Sequence, residues 1–138
     1  MTRRSASAAL ALLLVGCGGP APVSLVRGGD PERGRELVAA YGCGGCHSVP
    51  GVAGASGSVG PPLDGFGDRA YIAGALRNEP GALVRWIRSP QSVEPGTAMP
   101  DLGVGEVQAR HIAAYLYTLR AGGLGPPHLF PESVLPQH

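Results

Sequence analysis

The stretch from Tyr41 to Pro50 has the sequence Y-G-C-G-G-C-H-S-V-P and holds two of the three cysteines in the chain. Cys43 and Cys46 lie three positions apart, and His47 follows directly. Redox dithiols, structural zinc sites and haem attachment sites all use a Cys-x-x-Cys spacing. The rest of the sequence has to distinguish among these three kinds of site.

The chain is short and poor in large side chains. Of its 138 residues 5% are aromatic, whereas 23 are glycine and 14 are proline. A chain of this length forms one domain with tails and buries only a modest core. The glycines and prolines are clustered between helix-like segments. The composition therefore predicts a small domain that would gain stability from a bulky apolar cofactor at its centre.

The N-terminal residues predict export and a lipid anchor. Two arginines precede the apolar run Ala8–Val15, which is too short to span a bilayer, so residues 1–16 are predicted to be a signal peptide. The sequence Leu-Val-Gly before Cys17 resembles the processing box of bacterial lipoproteins, and we expect Cys17 to be lipidated. The alternative is an ordinary secretory signal followed by an unmodified cysteine. Residues 17–28 are predicted to be a flexible tether.

Helix signals predict an all-α fold. Asp30-Pro31-Glu32 supplies an N-cap, a proline and an acid, and predicts a helix that ends at Ala40 or Tyr41. Asn78-Glu79-Pro80 predicts the cap and start of a second helix that ends near Pro90. A last helix is predicted from Gly105 to Leu119.

The remaining segments predict loops. Residues 42–60 are dominated by glycine, and Pro95-Gly96 predicts the centre of a type II turn. A short helix is predicted at residues 69–75, and no stretch alternates as a strand would. The domain is predicted to cover residues 29–120. Residues 121–138 are predicted to be an extended, loosely held Pro/Gly-rich tail.

The surroundings of Cys43 and Cys46 favour haem attachment. A thioredoxin-like dithiol follows a strand and begins a helix, whereas a predicted helix precedes Cys43. A zinc site needs four ligands, usually as two pairs, and no second pair follows His47. Haem attachment needs Cys-x-x-Cys-His, and residues three and four apart share a helix face. Both thiols can thus reach the two vinyl groups of a haem while His47 lies beneath the ring.

Motifs around this site resemble the class I cytochrome c family over about residues 29–119. They are G-D-P-E-R-G at Gly29–Gly34, C-G-G-C-H at Cys43–His47, G-P-P-L at Gly60–Leu63, P-G-T-A-M-P at Pro95–Pro100 and A-Y-L at Ala114–Leu116. The stretch 83–99 is most similar to cytochrome c domains that serve bacterial haem–copper oxidases. The resemblance implies crossed N- and C-terminal helices, with loops wrapped around one covalently bound haem c.

The same resemblance implies which residues hold the haem. It implies thioether bonds at Cys43 and Cys46 and axial iron ligation by His47 and Met99, with the Pro61 carbonyl accepting a hydrogen bond from the other His47 ring nitrogen. Met99 is the only methionine left after signal removal, and the proline after it favours an extended backbone. The alternative for Met99 is a core gap-filler. The alternative sixth ligands are His111, His128 and His138.

Other residues are expected around the haem and at the helix crossing. Leu63 is expected to pack on the haem face. Trp86 is expected to be a core residue that also packs on the side of the haem that faces Met99. The candidates to bind the haem propionates are Arg69, Tyr71 and Arg77. Gly34 and Val38 are expected to cross against Ile112 and Tyr115.

These features together predict an electron carrier rather than an enzyme. The expected protein is exported, lipid-anchored on the periplasmic side of a bacterial membrane, and carries single electrons in a respiratory chain, to or within a terminal oxidase. Its expected partners are a quinol–cytochrome c reductase or terminal oxidase and the membrane, with no nucleic acid. The alternatives are a peroxidase-like enzyme whose Met99 bond opens and a fixed haem subunit of an oxidase or dehydrogenase complex.

The placement of charge predicts how a redox partner is met. All eleven basic residues are arginine, and no charged residue lies between Glu36 and Asp64. The methionine loop is uncharged as well. A small apolar electron-transfer face is therefore expected, formed by Val49, Pro50, Val52, Ala53 and Ala98.

Overall fold

A computed structural model of the protein describes residues 24–124. Four α-helices account for most of the regular structure: α1 (Pro31–Ala40), α2 (Pro80–Arg88), α3 (Pro90–Val93) and α4 (Glu106–Leu116). Two short 3₁₀ helices span Cys43–Gly45 and Phe66–Asp68. Two antiparallel pairs of two-residue strands complete it: β1 (Tyr71–Ile72) with β2 (Leu76–Arg77), and β3 (Leu119–Arg120) with β4 (Gly123–Leu124).

Helix α1 begins and ends as the sequence predicts. The Asp30 side chain accepts hydrogen bonds from the backbone N–H groups of Glu32 and Arg33, at 3.0 and 3.2 Å. These bonds satisfy donors that have no partner within the helix. Gly42, with φ +70°, turns the chain out of the helix toward Cys43.

The crossing of α1 and α4 forms the centre of the domain. A Cβ atom on Gly34 would lie 2.0 Å from the carbonyl oxygen of His111 and 2.7 Å from Tyr115 Cβ, so the two backbones touch there. Val38 and Ile112 are 1% and 2% exposed beside this contact. The predicted crossing of the N- and C-terminal helices is confirmed.

Helix α2 packs on α4 and ends where the sequence predicts. It buries Ala82, Leu83, Val84, Trp86 and Ile87. The chain leaves the helix at Ser89, and Pro90 begins the four-residue helix α3, because proline disfavours a helical residue before it but suits a first helical position. The side-chain cap predicted for α2 is absent, since neither Asn78 nor Glu79 bonds the first turn.

The prediction of a short helix at residues 69–75 is wrong. These residues form most of a hairpin in which Tyr71 pairs with Arg77 and Ile72 with Leu76. Ala73 and Gly74 turn the chain with φ of +50° and +74°. Strands of two residues carry no period-two pattern, which explains why no strand was predicted.

Helix α4 is shorter than predicted. It ends at Leu116, and Leu119 enters strand β3. Val107 is 62% exposed, so the buried face of α4 starts at Ala109. Within residues 24–124, no helix combines the length and the apolar character that crossing a membrane requires.

Hydrogen bonds join Arg120 and Ala121, near the last described residue, to the 3₁₀ helix at Phe66–Asp68. The Asp68 carboxylate accepts from the Ala121 N–H at 2.7 Å and from Arg120 Nη1 at 2.6 Å. The Ala121 N–H and the Arg120 side chain lower the pKa of Asp68. The signal peptide, Cys17, residues 18–23 of the tether, and residues 125–138 of the tail lie outside the described residues.

Candidate functional site

The Cys-x-x-Cys-His motif forms one tight turn after α1. The N–H groups of Cys46 and His47 both donate to the Cys43 carbonyl, at 3.2 and 3.0 Å. Both cysteines are free thiols and half-buried. Burial raises the pKa of the Cys43 thiol. The turn therefore places two thiols and one imidazole within a span of five residues.

The two glycines inside the motif have different surroundings. A Cβ on Gly44 would lie 2.6 Å from Ala55 Cβ, whereas a Cβ on Gly45 would meet no atom within 4 Å. The Gly57 N–H also donates to the Gly44 carbonyl at 3.0 Å. Glycine at position 44 is thus required by the protein's own packing, whereas no neighbouring atom of the protein requires it at position 45.

The His47 ring is held by the loop that follows. Its Nδ1 lies 2.7 Å from the Pro61 carbonyl oxygen, the hydrogen bond that the sequence predicts. A Cβ on Gly60 would lie 2.4 Å from His47 Cε1, so the ring packs directly against this glycine. With Nδ1 donating to Pro61, Nε2 carries the free lone pair that a metal ion needs.

Arg69 holds the same loop through hydrogen bonds to its backbone carbonyls. Its guanidinium donates to the carbonyls of Pro62 and Asp64, the latter at 3.1 Å, and lies over the Phe66 ring at 5.5 Å. Leu63 is 9% exposed at the head of this loop. Arg69 was predicted as a propionate ligand, and the structure gives its guanidinium a loop-holding position.

The other predicted propionate ligands are at the surface. Tyr71 is 58% exposed, and Arg77 Nε lies 3.9 Å from the Glu79 carboxylate. Their contact with a haem stays a prediction.

Met99 lies half-buried against the core, in a loop rather than a helix. Its N–H donates to Thr97 Oγ1 at 3.3 Å, and its carbonyl accepts from Gln91 Nε2 at 2.7 Å. Gly96, with φ +87°, makes the expected turn before it. Trp86, buried in α2, is 9% exposed. Gln91 was not predicted, because nothing in its local sequence distinguishes it from a surface residue.

The rival ligand His111 is engaged elsewhere. Its Nδ1 accepts a hydrogen bond from the Asp30 N–H at 2.9 Å, at the crossing of α1 and α4. His128 and His138 lie outside the described residues.

Three polar side chains join the loops to α4 and its C-cap through hydrogen bonds that the sequence did not predict. The Tyr115 hydroxyl donates to the Pro50 carbonyl, and the Tyr117 hydroxyl donates to Asn78 Oδ1 at 2.9 Å. Asn78 Nδ2 in turn donates to the carbonyls of Phe66 and Arg69, at 3.1 and 2.9 Å. Burial, followed by the charge of Glu79, raises the pKa of Tyr117 to about 12. The available signal was that buried tyrosine hydroxyls need a partner.

The donor set on this turn fits a haem c. Two thiols and an imidazole with a fixed Nδ1 tautomer are the groups that thioether attachment and axial ligation require. Across residues 24–124, no group of three His, Cys, Asp or Glu side chains comes close enough to hold a metal ion. The described residues thus offer no cluster of the kind that binds structural zinc.

Comparisons with known proteins agree with this chemistry. The cytochrome c family profile matches residues 31–120. Cytochrome c oxidase subunit 2 of Alkalihalophilus pseudofirmus is 38% identical over 92 residues, which are 64% of this chain and 25% of that protein. Cytochrome c oxidase subunit 2 of Bacillus sp. is 35% identical over 89 residues, 62% of this chain and 25% of that protein. The chain thus spans about a quarter of the length of these relatives.

Part of this chain is also similar to a solved structure. Cytochrome c2 of Rhodobacter sphaeroides is 22% identical, with a TM-score of 0.48, and the match covers 67% of this chain and 97% of that one.

Proposed function

This chain belongs to the cytochrome c family, and on that premise we propose that it is a monohaem electron carrier of a bacterial respiratory chain. The family binds haem c covalently, and Cys43 and Cys46 occupy its Cys-x-x-Cys-His positions. The two sulfurs form the thioether bonds. The single observation that carries the proposal is the His47 ring, fixed on the Pro61 carbonyl directly after the Cys-x-x-Cys turn.

His47 and Met99 would hold the haem iron in this proposal. His47 offers Nε2, because Nδ1 is held by the Pro61 carbonyl at 2.7 Å. Met99 offers its thioether from a loop whose backbone is fixed on both sides, by Thr97 and by Gln91. When bound, the haem supplies a one-electron iron couple, and histidine–methionine ligation raises its potential. Two filled axial positions suit electron carriage rather than conversion of a substrate.

The electron-transfer face is uncharged in this proposal. No Asp, Glu or Arg lies between Glu36 and Asp64, and the exposed residues there include Ala53 and Val59, the latter 79% exposed. The prediction that Val49 lies on this face is wrong, since Val49 is 3% exposed and packs in the core. A carrier held beside its partner works at high effective concentration and has less need of charge steering.

The N-terminal part of the proposal is a lipid on Cys17. A lipoprotein-type anchor with two or more acyl chains would hold the domain on the periplasmic side of the membrane. Residues 17–23 would then be the tether between the acyl chains and the domain. The predicted tether extended to residue 28, but Val26 is 2% exposed and packs in the core, so the domain begins before Gly29.

The haem proposal is tested by extraction. If Cys43 and Cys46 hold the haem by thioethers, the haem stays with the polypeptide through denaturation and acid–acetone treatment. In Cys43→Ala with Cys46→Ala, we expect a colourless and unstable chain. The matched control is Cys17→Ala, which should keep its covalent haem but lose incorporation of labelled palmitate. Haem that extracts freely from the unaltered protein would overturn the proposal.

A fixed subunit of a terminal oxidase is the second candidate. It is favoured by the two relatives named above, both oxidase subunit 2 proteins at 35–38% identity. Isolation of the tagged protein from detergent-solubilised membranes separates the two candidates. Oxidase subunits that stay bound through gel filtration indicate a fixed subunit, and a protein eluting alone indicates a mobile carrier.

A further inference from the structure

A cleft rich in arginine lies where the N-terminal segment joins the domain. It has a volume of about 390 Å³ and lies between residues 25–27, the outer face of α2 and the start of α4. Its lining includes four arginines and one acid: Arg27, Arg85, Arg88, Arg110 and Glu106. The described haem-site residues named above do not line it, so this cleft is separate from the haem site.

The cleft holds a local excess of positive charge. Glu106 is shared by Arg110, with Nη2 2.6 Å away, and Arg88, with Nη1 3.3 Å away. These arginines lower the pKa of Glu106, Arg110 contributing most. One carboxylate against four arginines leaves three positive charges in the cleft.

Arginines elsewhere in the described residues are already partnered. Four of them lie within 4 Å of a carboxylate, and one donates to backbone carbonyls: Arg33, Arg35, Arg77, Arg120 and Arg69. Without residues 1–16, the chain has nine arginines against ten acidic residues. The excess positive charge in the cleft is therefore a local feature that an anion would neutralise.

The walls of the cleft suit an anion that carries apolar groups. Val26 and Val84 are 2% and 7% exposed beneath the arginines, and Leu25 is 51% exposed beside them. Arginine binds phosphate oxygens through paired N–H groups, and an exposed leucine beside such groups suits the boundary between headgroup and acyl chain. A phospholipid presents both chemistries together.

The position of the cleft along the chain places it near a bilayer. The eight residues Gly18–Leu25 span at most about 28 Å when fully extended. Val84 and Arg88 are each two positions from Trp86 in α2, a rotation of about 200° around the helix. The cleft and Trp86 thus lie on different sides of α2, so a phospholipid in the cleft would not contact Trp86, which is buried in the core.

We propose that this cleft binds the phosphate headgroup of an anionic phospholipid and so sets the orientation of the domain on the membrane. The anion site follows from the described residues, while its assignment to a lipid rests also on the N-terminal anchor of the proposed function. Arg27 and Arg85, which have no carboxylate within salt-bridge distance among residues 24–124, are the first contacts for the phosphate.

The test measures how fast each arginine of the holoprotein reacts with phenylglyoxal, by peptide mass spectrometry. The full-length protein is studied on vesicles of phosphatidylcholine, alone or mixed with phosphatidylglycerol. We expect phosphatidylglycerol to slow modification of Arg85 and Arg88 by about tenfold, the factor expected for charge-assisted hydrogen bonds. Arg33, exposed on α1, is the internal control and should react at the same rate on both vesicles. Equal rates at Arg85 on both vesicles would overturn the proposal.

Further arms identify the source of the anion. Inorganic phosphate or a polyglutamate peptide, added with phosphatidylcholine vesicles, should give little protection, and protection matching that of phosphatidylglycerol would overturn the lipid assignment. In Arg85→Gln the protection of Arg88 should fall, while in Arg33→Gln it should not change. Vesicle flotation and the visible spectrum are recorded on the same samples. Flotation shows whether the protein is anchored to the vesicles, and the visible spectrum shows whether it carries haem. Failure of either is thereby distinguished from a cleft that does not bind lipid.

Discussion

Replacing Gly34 by alanine tests the contact on which the domain is built. The new Cβ would lie 2.0 Å from the His111 carbonyl oxygen and 2.7 Å from Tyr115 Cβ, far inside van der Waals contact. Since both neighbours belong to the backbone or the root of a side chain, relief requires α1 and α4 to move apart. Such a movement would also stretch the hydrogen bond from the Asp30 N–H to His111, now 2.9 Å.

The expected loss of stability is the difference of two effects. Overpacking of a tight core contact costs up to about 3 kcal/mol. Removal of a glycine from a helix interior contributes about 1 kcal/mol in the opposite direction. The net loss is at most about 2 kcal/mol, which would lower the melting temperature of a 100-residue domain by about 8–16 °C.

The assay is urea and thermal unfolding of the holoprotein, followed by far-ultraviolet circular dichroism and the Soret band. Gly81→Ala is the matched control, because Gly81 lies in the first turn of α2 and a Cβ there meets no atom within 4 Å. That variant should be unchanged or more stable by up to about 1 kcal/mol. If Gly34→Ala proves as stable as Gly81→Ala, the close-contact reasoning is refuted.

Four further outcomes are expected. Met99→Ala should abolish the weak far-red sulfur–iron band and open the iron to added ligands; persistence of the band would exclude Met99 as ligand. Gly44→Ala should lower stability and haem incorporation because its Cβ would lie 2.6 Å from Ala55 Cβ, while Gly45→Ala should create no such clash because a Cβ there meets no atom within 4 Å. Since burial raises the pKa of Tyr117 to about 12, above about 10 when unfolded, its contribution to stability is complete below pH 10 and is lost as pH rises toward 12. Tyr117→Phe should flatten that alkaline decline in urea titrations, and an unchanged decline would contradict the assignment. Electron transfer to the physiological partner should slow only mildly as salt rises, and a steep fall would refute an uncharged contact face.

The sequence alone determined the features whose causes are local. The Asp30 cap with the following proline, the break before Pro90 and the turn at Gly96 depend on backbone sterics and on partners two or three residues away. The Cys43–His47 motif likewise places the three groups that indicate haem attachment within one turn. Even the contact of His47 with Pro61 was predictable, because a family motif places that loop in a known order.

Only the tertiary structure decided which distant groups meet. Asn78 lies in a sequence typical of a helix cap, yet its side chain joins Tyr117 to the carbonyls of Phe66 and Arg69. Val49 lies in an uncharged loop typical of a surface, yet it is 3% exposed. The physical reason is that burial and hydrogen-bond partners depend on segments far apart in the chain.

The arginine cleft shows the same division most clearly. Its residues come from three segments, 25–27, 80–88 and 106–110, and no one segment has an unusual charge. Packing of α2 and the N-terminal segment against α4 brings the guanidinium groups together and leaves one carboxylate among them. The sequence determines the number of arginines, whereas their concentration in one cleft is a property of the folded chain. The reason is that charges far apart in sequence interact only when folding brings them within a few ångströms.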